Sequence, residues 1–153
     1  MIQSLFAFVG RALLSIIFIT SAIHKLFNWQ DTLNTVTQAT NNWLALSVGH
    51  AVMQDLIEWA IPHITLLLMV AVVFELLGGL LVFLGIWTRL GAVLLIVFMI
   101  SATLLFHHFW QLQGVDREMQ MIHFMKNVSI TGGLLFLLAV GKCGHCAPPR
   151  GQH

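Results

Sequence analysis

The sequence predicts an all-α integral membrane protein: a four-transmembrane-helix bundle with an interfacial helix between spans one and two. Three observations predict it. Hydrophobic residues make up 58% of the chain, while Asp, Glu, Lys and Arg together make up only 8%. A soluble domain carries about a quarter charged residues, because a water-facing surface needs them. Four apolar runs stand out, and crossing about 30 Å of hydrocarbon takes about 20 residues. Between the first two runs lies a polar, threonine-rich stretch of a different character. A chain of 153 residues has room for one domain. Residues 1–141 form the expected membrane domain, and residues 142–153 form a tail.

Span one is expected at about residues 5–23. Small residues at Thr20, Ser21 and Ala22 resemble a signal-peptide end. No Lys or Arg precedes Arg11, however, so the segment is read as a retained span. The segment from Phe27 to Trp59 is expected to form one or two helices that lie at the interface or cap the bundle. Within it, Val48, Val52, Met53, Leu56 and Trp59 share one helical face, with Asp55 and Glu58 off that stripe. Span two is expected at about 61–84, with Pro62 suited to a helix's first turn. Only Gly85, Ile86, Trp87 and Thr88 separate it from span three at about 90–106, which forces an antiparallel hairpin. Span four is expected at about 122–140. Gly78, Gly79, Gly85, Gly132 and Gly133 either let helix backbones approach closely or are merely tolerated in lipid.

An even number of spans places both termini on one side. Arg89, Lys142, Arg150 and Arg11 mark that side, against Lys25, Arg117 and Lys126 on the other. The positive-inside rule counts Lys and Arg alone, so cytoplasmic termini are expected. The acidic residues Asp31, Asp55, Glu58, Asp116 and Glu118 fall on the opposite side. Net charge is +1 with no basic block, which argues against a nucleic-acid partner. The expected partners are the lipid bilayer and either a protein partner or further copies of the chain.

Glu75 sits in the middle of span two, where a charge must face protein or water. From the span ends, Arg11 lies at a depth within about 5 Å of it, at 1.5 Å of rise per residue. An Arg11–Glu75 pair is therefore expected. It either fixes helix packing or forms part of a proton or quinone-headgroup site. Eight histidines are many for so apolar a chain. Threading puts His24, His63, His107, His108 and His123 on one face. They could ligate a metal or heme or move protons, or they serve as plain interfacial polarity. His107 and His108 diverge by about 100° on a helix and cannot share one centre. In the tail, Cys143-Gly144-His145-Cys146 has dithiol spacing. Without a thioredoxin domain it is open between redox activity, zinc or copper binding by the two thiolates with His145 and His153, although one CxxC is only half a structural zinc site, cysteine pairing across a partner, and no role.

Four blocks in order resemble the DoxX family of small membrane proteins, over nearly all of residues 9–141. They are Gly10-Arg11-Ala12-Leu13-Leu14 with Ser21-Ala22-Ile23-His24-Lys25-Leu26; Glu75 through Gly85 with Thr88-Arg89; Ala102 through Trp110; and Phe124-Met125-Lys126-Asn127 with Gly132-Gly133-Leu134-Leu135. Ala22 stands where Gly is common, and the CGHC tail departs from the family's usual ending. The resemblance implies a four-helix bundle in a bacterial inner membrane. It also implies a link to quinone-dependent oxidation or to complexes handling thiol and oxidative stress. Its matched positions nominate Arg11, Lys25, Glu75, Arg89, His107, Lys126 and Asn127 as a shared polar site. In it, Glu75 and His107 would handle protons, and Arg11, Lys25 or Lys126 would hold an anionic group. The expected function is thus a redox-linked membrane subunit with a quinone. The alternatives are a non-enzymatic scaffold or assembly factor, and a small transporter or metal-handling protein.

Overall fold

Backbone hydrogen bonds cannot be left open in hydrocarbon, so this chain closes them within helices. The computed structural model describes residues 2–141, and no strand occurs among them. Six helices follow in order: α1 (Ile2–Phe27), α2 (Trp29–Leu46), α3 (Ala51–Ala60), α4 (Ile64–Leu84), α5 (Thr88–Phe106) and α6 (Gly114–Val140). Short 3₁₀ turns at Ile61–His63 and Phe109–Gln111 join α3 to α4 and α5 to α6. Four stretches are long and apolar enough to cross a membrane: Leu5–Phe27, Ala51–Leu84, Thr88–Gln111 and Gly114–Val140.

The α4–α5 hairpin is built by two left-handed residues. Gly85 (φ 73°) ends α4, and its N–H bonds back to the Val82 carbonyl, a conformation glycine adopts without a Cβ clash. Trp87 also has positive φ (50°), which strains a bulky side chain by about 1–3 kcal/mol. The tight link makes α5 return along α4. Near its end the backbones come close. A Cβ on Gly78 would lie 2.8 Å from Leu95 Cγ and 3.0 Å from the Gly91 carbonyl oxygen. Gly79 serves α1 in the same way, its virtual Cβ 3.0 Å from Ile19 Cγ1. Gly132 has open space around it, and Gly133 makes only ordinary contact with Leu14. Small residues at a helix contact allow the van der Waals packing that holds helices together in lipid.

Helix α4 packs against both α1 and α5, and α5 against α6. Phe18, Val82, Leu95, Met99 and Leu134 form the core where all four helices meet. A second cluster of Ala22, Leu68 and Val72 is covered by Trp29, Leu33, Val36 and Leu76. The outward faces are as apolar as the core, with Leu13, Ile100 and Phe136 at least half exposed. That arrangement suits lipid contact.

The segment expected at the interface forms two helices. Helix α2 packs on α1, α3, α4 and α5. Trp43 on α2 donates from Nε1 to the Leu105 carbonyl at 3.1 Å and pins it to the end of α5. Helix α3 has no buried residue, and its stripe of Val52, Met53, Leu56 and Trp59 is exposed. Helix α6 begins eight residues before the apolar run from Ile122, so Asp116, Arg117 and Glu118 stand on its exposed first turns.

Candidate functional site

Side chains on a helix lean toward its N-terminus, and this lean decides which cation meets Glu75. Lys25, in the last turn of α1, reaches back toward the bundle centre. Its Nζ lies 2.6 Å from Glu75 Oε2 and 2.7 Å from Ser21 Oγ, one turn earlier on α1. The same ammonium sits 4.9 Å from the centre of the Phe98 ring on α5. Glu75 is 1% exposed, and the Lys25 side chain 23%.

The expected Arg11–Glu75 pair does not form. Helix α1 starts at Ile2 and overhangs the end of α4, so Arg11 stands beside Gly85 rather than Glu75. Its side chain leans the same way as Lys25, toward the α1 N-terminus, which here carries it away from Glu75, and Nε donates to the Ala7 carbonyl at 3.3 Å. Gly85 and Glu75 are ten residues apart, about 15 Å along a helix. Arg89 is also at that end. Its guanidinium donates to the carbonyls of Gly141 at 2.9 Å and Ala139 at 3.2 Å, closing the C-terminal end of α6. The polar positions expected to share one site thus divide between the two ends of the bundle.

Lys25 and Glu75 form part of the wall of a partly open cavity of about 1250 Å³. It lies between the bundle and the α2–α3 segment, and all six helices contribute to its wall. The wall is mostly apolar, with Phe74, Phe98, Leu67 and Ile64 among its residues. Helix α2 lines it with threonines, yet Thr32, Thr35 and Thr40 each donate to the carbonyl four residues earlier, at 2.8–2.9 Å. Such back-bonding lets a hydroxyl sit in an apolar wall without an open donor. Lys126 and Asn127 also line the cavity. Asn127 is buried and donates from Nδ2 to Thr103 Oγ1 at 3.0 Å. Lys126 is exposed.

The histidines do not gather. His24 lines the cavity and is exposed. His63 stacks on Trp59, with ring centres 4.9 Å apart, and its Nδ1 meets the Trp59 carbonyl at 2.8 Å. His107 stacks on His123 at 5.4 Å, with Nδ1 2.6 Å from Gln120 Oε1. His108 turns its ring edge to Trp43, and its buried Nδ1 meets no partner. Among the described residues, no three His, Cys, Asp or Glu side chains are placed to hold a metal. His107 is not part of the cavity wall. Cys143 and Cys146 lie outside the described residues.

Sequence reasoning missed Ser21, Phe98, Thr103 and Trp43. Ser21 was legible, since it precedes Lys25 by four residues and so shares its face. The others act through tertiary contacts that no local pattern announces.

The family model DoxX matches residues 6–108. Over 80 residues the chain is 39% identical to inner membrane protein YphA of Escherichia coli strain K12, covering 52% of this chain and 57% of that protein. The chain thus spans little more than half the length of this relative. No solved structure matches.

Proposed function

Because the chain belongs to the DoxX family of membrane proteins, we propose that it is a multi-pass inner-membrane subunit of a redox-linked system, taking a quinone into the cavity beside Glu75. The observation that carries this reading is the cavity itself. Its volume of about 1250 Å³ exceeds the range of about 300–1,000 Å³ typical of small-molecule pockets, and its wall suits a lipid-sized molecule. Its polar floor is one ion pair, Lys25–Glu75. An intramembrane ionisable group next to open volume supports a functional reading over a purely structural one. A head with two oxygens would sit at the floor, and an apolar tail would lie along Phe74, Leu67 and Ile64. Both termini lie in the cytoplasm in this reading, from the balance of Lys and Arg.

The test is purification in mild detergent, followed by mass spectrometry of the extracted lipids. A quinone should co-purify in near-stoichiometric amount, and Glu75→Gln should lower it. Phospholipid alone, with no quinone at any level above the detergent background, would turn the reading toward a scaffold.

A further inference from the structure

One end of the bundle is positively charged, and the chain has no carboxylate there to answer it. The acids are Asp31, Asp55, Glu58, Glu75, Asp116 and Glu118. Glu75 is paired with Lys25, and the others stand on α2, α3 and the first turns of α6, at the far end of the bundle. Arg11 and Arg89 lie at the α4–α5 turn. Lys142 and Arg150 follow in the sequence, and no Asp or Glu comes before Asp31 or after Glu118.

Arg11 is seated on that turn. Its guanidinium rests against the α-carbon of Gly85, where a Cβ would fall 2.8 Å from Arg11 Cζ and 3.1 Å from Nη2. The positive φ of Gly85 closes the turn, and its missing side chain makes the seat. A guanidinium has five N–H groups in a rigid fork. Nε gives one to the Ala7 carbonyl, while Nη1 and Nη2 have no acceptor among the described residues. Arg89 differs, because its guanidinium is committed to the Gly141 and Ala139 carbonyls. Arg11 is half-buried, and a cation withdrawn from water needs an anion beside it.

The surroundings indicate the kind of anion. Phe8 on α1 packs against Phe83 on α4, with ring centres 6.4 Å apart. Leu5, Phe6 and Val9 on α1 are exposed, as are Leu84, Ile86 and Trp87 at the turn. An exposed Trp belongs at headgroup depth. An apolar rim around open N–H groups suits a phosphodiester that carries acyl chains better than a free anion, which would lose water against hydrocarbon. We propose that Arg11, seated on Gly85, binds the phosphate of an anionic phospholipid whose chains lie along Phe8, Phe83 and Leu84. Nη1 and Nη2 match two phosphate oxygens. A zwitterionic lipid brings its own ammonium to the phosphate and so answers the guanidinium less well. The site is separate from the cavity, since Gly85 lies about 15 Å along α4 from Glu75.

The experiment uses the full chain in dodecyl maltoside and counts bound molecules by native mass spectrometry. Phosphatidylglycerol, phosphatidylcholine and inorganic phosphate are offered at equal concentration. The unmodified chain should hold phosphatidylglycerol at about fivefold or more the occupancy of phosphatidylcholine, the scale of one cation at a membrane surface. Inorganic phosphate should not displace it. Arg11→Gln should bring the two lipids to equal occupancy. Arg11→Lys keeps the charge without the fork and should lose part of the preference. Lys142→Gln with Arg150→Gln removes other cations and should leave the preference unchanged. Equal occupancy on the unmodified chain would overturn the proposal, and this holds even if the Arg11 variants fail to fold. So would a preference that survives in folded Arg11→Gln or vanishes in the tail variant. Displacement by inorganic phosphate would assign Arg11 to a free anion and overturn the lipid site.

Discussion

Lys25 and Glu75 meet 2.6 Å apart although Lys25 belongs to the last turn of α1 and Glu75 to the middle of α4. The lysine stem bridges the difference by leaning back along its own helix. This is the reverse of the usual behaviour of a lysine near a helix end, which extends outward to the headgroups. The gain from pairing a carboxylate in a low-dielectric setting holds it inward.

Removing one partner should therefore be costly. Lys25→Met leaves Glu75 buried without a cation and should destabilise the chain by about 3–5 kcal/mol. The double variant Lys25→Met with Glu75→Gln should recover most of that loss. Thermal unfolding of the four members of the cycle in detergent measures it. A double variant as unstable as the sum of the singles would show that the pair does not act as a unit.

The glycine contacts give a sharper contrast. Gly78→Ala places a methyl 2.8 Å from Leu95 Cγ and against the Gly91 carbonyl. It should cost about 1–3 kcal/mol through overpacking. Gly132→Ala meets nothing within 4 Å and should be neutral or stabilise by up to about 1 kcal/mol, what helix propensity supplies. Melting temperatures of the two variants settle the point.

Trp43→Phe removes the hydrogen bond to Leu105, and the expected cost is about 1 kcal/mol. Hydrogen exchange should quicken along α2 and leave α4 unchanged, since α2 is joined to α5 by that bond. Equal quickening in both helices would mean that α2 does not open on its own.

The sidedness of the chain can be read from its own thiols. Cys143 and Cys146 are the only cysteines in the sequence. With cytoplasmic termini, a membrane-impermeant maleimide should label them in inverted vesicles and not in intact cells. Labelling in intact cells would reverse the orientation.

The four spans were legible because a nearly uncharged apolar run of about 20 residues is the length that a bilayer demands. Glu75 stood out because a carboxylate in such a run must be accommodated. Its partner was misread because counting depth treats a side chain as if it sat on its own Cα. On α1 the lean toward the N-terminus carries Lys25 inward to Glu75 and carries Arg11 away from it. The threonines of α2 looked polar in sequence, yet their hydroxyls close on their own helix. The cavity was not legible at all, since it arises from how α2 and α3 sit against the bundle.

The close crossing at Gly78 and Gly91 makes α4 and α5 a pair of tongs. The fulcrum lies just beyond Glu75, where the backbones touch. The jaws are the ends lined by Ile64 to Glu75 on one side and Val97 to Phe106 on the other. A guest cannot slide past the fulcrum. From Glu75 to Ile64 the groove offers eleven residues of helix, about 17 Å. Any longer tail must leave sideways and trail among the lipid chains. An occupant of this groove would exchange with the pool dissolved in the bilayer, and its concentration there, rather than in water, would govern how full the jaws are.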